Sequence, residues 1–203
     1  MSNIPSLSIV CVSYKRYKEI NVLIHCFLSQ TIQNFNLHIL HDGPDPVMEK
    51  ILKEYADKYP EITYEFTEKR FNDWGHSLRS IGLQKAIGDY VLITNDDNYY
   101  SPKFIEIMFE PIQKNNADIV VCDMVHGHAN PGSTKQLANC FFETGFSRGY
   151  IDIGCFIART SLAKQAGFND RSFSADGAYF EDILKLRKDL SISKIKRVLF
   201  VHN

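Results

Sequence analysis

Two adjacent carboxylates, Asp96 and Asp97, stand between Asn95 and Asn98 where the apolar run "DYVLIT" (Asp89–Thr94) ends. Carboxylates this close repel each other, and burial is costly unless something positive lies between them. A divalent cation meets that need, and hard oxygen ligands suit Mg2+ or Mn2+. Two other apolar runs end in matching chemistry. "LSIVCVS" leads into Tyr14-Lys15-Arg16, and "NLHIL" into His41-Asp42-Gly43. Tyr14 can stack on a flat base, and Asp42 can accept hydrogen bonds from a base or ribose. Asp97, alone or with Asp96, can hold a cation that bridges a diphosphate. Each residue also has a plainer use: Tyr14 in packing, Asp42 before a Gly-Pro turn, and "NDDN" as a capped turn ahead of Pro102. The doubled carboxylate favours the metal reading.

The elements needed to bring these residues together are legible. Leu7–Ser13, Asn36–Asp42, Ile62–Phe66 and Asp89–Thr94 read as strands, rich in apolar and β-branched residues. Between them, residues 17–30, 46–59 and 75–88 carry helical periodicity, with Pro46 suited to a first turn and Gly88 closing the third helix. Strand–helix alternation implies a largely parallel sheet, and ligands bind at the carboxyl ends of such strands. The second half is less regular. A helix over 102–115 is interrupted by Pro111, and a strand follows over 117–123. A long irregular stretch to Tyr150 is a candidate lid or substrate-binding segment. Asp152–Ala158 reads as a strand, 161–167 and 176–189 as helices, and 195–203 as a last strand.

Composition narrows the function classes. The 203 residues suit one domain; hydrophobic residues make up 44% and charged residues 23%, as in an ordinary globular protein. A formal net charge of -1 and the lack of a Lys/Arg run argue against a nucleic-acid partner. The five cysteines are odd in number and form no C-x-x-C pair, so they read as reduced residues of a cytoplasmic protein. The first residues lack a signal-peptide pattern, and no apolar stretch is long enough to span a bilayer.

The segments "LSIVCVSYKR", "HILHDGPDP" and "GHSLRSIGLQKAIGDYVLITNDDNYYSPKF" resemble, in order and spacing, the inverting family 2 glycosyltransferases of GT-A fold. "DIGCFIARTSLAKQAGF" and "FSADGAYFEDIL" resemble that family's acceptor-side elements, so the likeness covers nearly the whole chain. It implies an α/β, GT-A (Rossmann-like) fold: a mostly parallel sheet flanked by helices, one domain over 1–203. Residues 1–100 would form the nucleotide-binding half and 101–203 the acceptor-side half. The implied activity is metal-assisted, inverting transfer from a nucleotide-diphosphate sugar to a glycan or glycolipid hydroxyl, with Mn2+ or Mg2+ as cofactor. Its usual setting, cell-envelope polysaccharide assembly, implies a cytoplasmic enzyme with peripheral membrane association at the inner face.

The resemblance also implies roles. Ser13, Tyr14 and Arg16 would line the nucleotide pocket, Asp42 and Arg79 would contact the base, and Gly75 would allow close approach. Asp97 matches the metal-binding acid of an Asp-x-Asp motif whose first acid is Asn95 here, with Asp96 in the variable position. His202 would be the second metal ligand. Trp74 and His76 could border the diphosphate, and Asp152 a sugar. Inversion needs a base to take the acceptor proton, and Asp176, Glu181 and Asp182 are candidates. Asp176 lies four residues before Phe180 and seven before Ile183, sharing the inward face near the helix N-terminus, where the dipole favours an ionised carboxylate. Asp176 is therefore preferred and Glu181 second, although Asp is also a favoured cap. Two alternatives stand beside this reading: a non-catalytic nucleotide-sugar-binding domain, which Asn95 would suit, and a sugar nucleotidyltransferase. The second would need a glycine-rich loop where "SYKRYKEI" has no glycine.

Overall fold

The computed structural model describes residues 4–126 and 140–203. The first four apolar runs form β1 (Leu7–Ser13), β2 (Phe35–His41), β3 (Ile62–Phe66) and β4 (Tyr90–Asn95), connected by α1 (Glu19–Leu28), α2 (Pro46–Ala56) and α3 (His76–Lys85). β2 and β4 flank β1 in parallel, and β3 continues the parallel sheet beyond β2. Every residue of β1 is buried, as expected for a central strand covered on both faces. Because these strands run the same way, Ser13, His41 and Asn95 all arrive at one rim.

The second half adds β5 (Tyr99–Tyr100), α4 (Phe104–Asn115), β6 (Ile119–His126), β7 (Cys140–Phe142), β8 (Phe156–Arg159), α5 (Thr160–Ala166), α6 (Ala175–Lys185) and β9 (Ile192–His202). The strand order is β3-β2-β1-β4-β8-β6-β9-β5, with β7 paired to β6. The sheet becomes mixed at β8, which runs antiparallel to both β4 and β6, while β6 and β9 are again parallel. This is the α/β architecture expected, with its continuous parallel part confined to the first half.

Three local expectations change. Asp152–Ala158 is not one strand: the Asp152 carboxylate accepts the Gly154 N–H at 2.8 Å, which starts a 3-10 turn over Ile153–Cys155 before β8 begins. Pro111 does not interrupt α4, because Phe104, Ile105, Met108, Phe109 and Ile112 anchor a continuous buried stripe across the missing hydrogen bond. The irregular stretch after Asp123 contains the end of β6 and all of β7; its residues 127–139 lie outside the described residues, and with them part of the candidate lid.

Two contacts fix how the layers meet. Gly82 lets α3 press onto β1 and β2: a Cβ there would overlap Val10 Cγ1 and lie 2.9 Å from Leu40 Cδ1. At the opposite end of the sheet, buried Asp118 gathers Arg159 Nε at 2.7 Å, Arg187 at 2.6 Å and the Ser191 N–H at 3.0 Å. Burial pushes this carboxyl up, but the Ser191 N–H and the two guanidiniums outweigh it and hold it below its ordinary value.

Two outcomes follow. Gly82→Ala is expected to destabilise the fold by about 1–3 kcal/mol in chemical denaturation, despite alanine's better helix propensity, with part recovered on adding Val10→Ala. Asp118 contributes stability that is present above its unfolded pKa of about 3.8 and lost as pH falls through the lower folded value. Thermal melts from pH 6 down to about pH 2 should therefore show a steeper acid decline in the wild type than in Asp118→Asn.

Candidate active site

The rim of the parallel strands opens into a cleft of about 970 Å³. Strand β1 delivers Ser13 and Tyr14 to it, β4 delivers Asn95 through Asp97, the start of α3 delivers Gly75, His76 and Arg79, and the start of α6 delivers Asp176. His202 enters from the end of β9. The structure thus brings together every residue singled out above for nucleotide, metal or base chemistry except Glu181 and Asp182. The Glu181 side chain accepts the Arg148 N–H at 3.0 Å and pairs with the Arg148 guanidinium at 3.2 Å, outside the cleft lining. Asp182 also lies outside it, paired with Lys185.

The acidic cluster is held asymmetrically. Asp96 accepts the Tyr14 N–H at 3.1 Å, and Arg16 spans both acids, 3.7 Å from Asp96 and in direct contact with Asp97. Burial, reinforced by the Asp97 charge, raises Asp96 to about 7 against the Ser13 hydroxyl, the Tyr14 N–H and Arg16. Burial also raises Asp97, opposed by Arg16 and His202. Asn95 is tied elsewhere: it accepts from Arg79 at 2.8 Å. Buried Arg79 also donates to the Trp74 carbonyl at 3.1 Å, contacts His76 Nδ1 at 3.1 Å and lies over the Phe168 ring. An amide at Asn95 therefore meets a guanidinium that a carboxylate could also have met.

Asp42 and Tyr14 are organised by a loop. Asp42 accepts the N–H groups of Phe71 and Asn72 at 2.7 and 3.0 Å, with Arg70 3.7 Å away. The Arg70 guanidinium sits 3.8 Å from the Tyr14 ring centre, while His41 stacks nearby. Farther along this loop Asn72, Trp74 and Gly75 have φ of 57°, 54° and 82°. Positive φ is unfavourable for a bulky side chain, and at Trp74 the backbone carbonyl is held by Arg79. Gly75 also approaches β1 so closely that a Cβ would lie 2.9 Å from Val12 Cγ2. Trp74 is 81% exposed and Phe173 is fully exposed, and both line the cleft.

On the far wall, Asp152 Oδ2 lies 3.3 Å from His202 Nδ1, and the His126 and His202 rings meet edge to face at 4.3 Å. Asp176 is half-buried beside them. Burial and then the Asp152 charge raise it to about 6, against Arg79, His202 and the Ile153 N–H. Sequence reasoning missed His126, Arg70 and Phe173. His126 was hidden inside a stretch read as irregular, although the mostly apolar run leading to it could have extended the strand.

Residues 8–171 match the profile of Glycosyl transferase family 2. The Bacillus subtilis (strain 168) protein described as uncharacterized glycosyltransferase YwdF is 28% identical over 137 residues, covering 65% of this chain. The chain spans about half of YwdF, 49% of its length. Among solved structures, S. aureus TarS 1-349 in complex with UDP gives a TM-score of 0.77 at 17% identity, covering 97% of this chain and 60% of that one. The mannosyltransferase PcManGT from Pyrobaculum calidifontis, in complex with GDP-Man and Mn2+, gives 0.74 at 12% identity, covering 99% and 57%. These structural likenesses speak for a shared GT-A fold. Taken with a profile that covers most of the chain, they lead to one conclusion: this chain belongs to glycosyl transferase family 2.

Proposed function

We propose that this chain transfers a sugar from a nucleotide-diphosphate sugar to a hydroxyl acceptor with inversion, using Asp176 as the base. The observation that carries the reading is the convergence in one cleft of a carboxyl near pH-neutral titration, Asp176, with the Tyr14, Arg16 and Asp97 rim. A group with a pKa of about 6 is mostly ionised at neutral pH yet basic enough to accept a proton in the transition state. In the reaction, the acceptor oxygen bonds the anomeric carbon from the face opposite the diphosphate. The bond to the diphosphate oxygen breaks, the nucleoside diphosphate departs, and the acceptor proton moves to an Asp176 oxygen. Tyr14 and the loop held by Asp42 would receive the base, with Arg70 swinging off the Tyr14 ring. Gly75 keeps α3 close to this pocket, and Arg79 fixes Asn95 at its floor.

The donor atoms present suit a divalent cation, since Asp97 offers hard oxygen and His202 a nitrogen to the same cleft. Such a cation, Mn2+ or Mg2+, would neutralise charge developing on the leaving diphosphate. The complexes of TarS with UDP and of PcManGT with GDP-Man and Mn2+ support a nucleotide-sugar donor and a divalent cation. The exposed faces of Trp74 and Phe173 at the mouth suit the apolar faces of sugar rings, which favours a glycan or glycolipid acceptor. No described helix is long and apolar enough to cross a membrane.

The test is release of free nucleoside diphosphate from a panel of UDP- and GDP-sugars with Mn2+, together with thermal-shift binding of UDP and GDP. Asp176→Asn, which keeps an oxygen to accept the Ile153 N–H, should lower turnover by about 10²–10⁴-fold while leaving nucleotide affinity within a few fold. Glu181→Gln should retain turnover within about tenfold, because Glu181 serves to hold Arg148. Near wild-type turnover in Asp176→Asn would remove Asp176 as the base.

A further inference from the structure

The far wall of the cleft holds a donor set that neither the Asp-x-Asp resemblance nor the acidic cluster describes. We propose that His126, Asp152 and His202 together bind the divalent cation through two imidazole nitrogens and one carboxylate oxygen, and that this set selects Mn2+ or Co2+ over Mg2+. The inference rests on the divalent-cation reading above and changes which residues hold the ion and which ion they prefer.

Three observations support it. One ligating atom from each residue lies within 4.8 Å of the other two. A cation bonded at about 2.1 Å keeps its ligand atoms within about 4.2 Å of one another, so rotations moving these atoms by well under about 1 Å complete the set. The set is also built rather than incidental. Asp152 Oδ1 is fixed by the Gly154 N–H at 2.8 Å, leaving Oδ2 turned to His202. The two histidines are register partners on adjacent parallel strands, and that pairing exists only because β9 gains three residues over β6 between Cys122 and Met124. Lys194 pins the irregularity by pairing with buried Asp123 at 2.6 Å. Finally, Asp97 is in direct contact with Arg16, so in this arrangement its carboxylate already has a positive partner.

Donor chemistry then dictates preference. Mg2+ favours oxygen ligands in strict octahedral geometry and gives up water reluctantly. Imidazole suits the later divalent metals, and affinity at such sites rises from Mn2+ to Co2+. His126, Asp152 and His202 would hold the ion, and it would supply positive charge to a diphosphate entering the cleft.

The test is calorimetric titration of the whole chain with MnCl2, CoCl2 and MgCl2, alone and with UDP or GDP. Electron spin-echo measurements on the Mn2+-loaded wild type report coupled imidazole nitrogens without any variant. The expected results are coupling to two histidines, at least about tenfold tighter binding of Mn2+ and Co2+ than of Mg2+, and a loss of about tenfold or more of the Mn2+ and Co2+ affinity in His126→Ala and His126→Gln. Coupling to one histidine, with His126 variants unchanged and Asp97→Asn abolishing binding, would overturn this ligand set while leaving the divalent-cation reading intact. Absence of binding by every cation, with or without either nucleotide, would remove that reading as well.

Discussion

Concentrating carboxylates in a partly dehydrated space is the constraint on which this cleft depends. Asp96, Asp97 and Asp176 are all raised by burial, and Asp152 contributes further repulsion to Asp97 and Asp176. Arg16 answers the charge on the strand side, and Arg79 with His202 answers it on the helix side. The compensation is incomplete, as values near 7 for Asp96 and 6 for Asp176 indicate. A cleft in this condition is electrostatically prepared for a cation and can keep a basic carboxylate near neutral pH.

The fold meets the constraint by separating its suppliers. Parallel β1 and β4 bring Ser13 and Asn95 to one rim because adjacent parallel strands end together. The close approach of α3 at Gly82 sets the depth at which Arg79 reaches Asn95. The opposite wall comes from β6, the 3-10 turn after Asp152, the start of α6 and the end of β9. These segments are far apart in sequence, and the Lys194–Asp123 pair at the strand irregularity settles how they align.

Arg70 adds a conformational element. Its guanidinium covers the Tyr14 ring while the neighbouring amides of Phe71 and Asn72 are anchored on Asp42. The anchor keeps the loop in place and leaves a flexible side chain over the aromatic surface. In the proposed function, that side chain can give way to a planar base without disturbing the backbone beneath it.

The sequence by itself determined the alternating strand–helix order of the first half, because apolar period and helix signals are local properties. It also marked Asp97, at the end of an apolar run, and Asp176, on the inward face of its helix, while Arg79 and His202 were marked by the family resemblance. Local pattern could not separate Asp152–Ala158 into a capped 3-10 turn and a strand, because a single side-chain hydrogen bond decides between them. Nor could it show Glu181 turning away to Arg148 or His126 standing beside His202. Those outcomes depend on sheet order and strand register, which are settled by packing between residues distant in sequence. Tertiary structure alone decided which of the marked residues share a cleft.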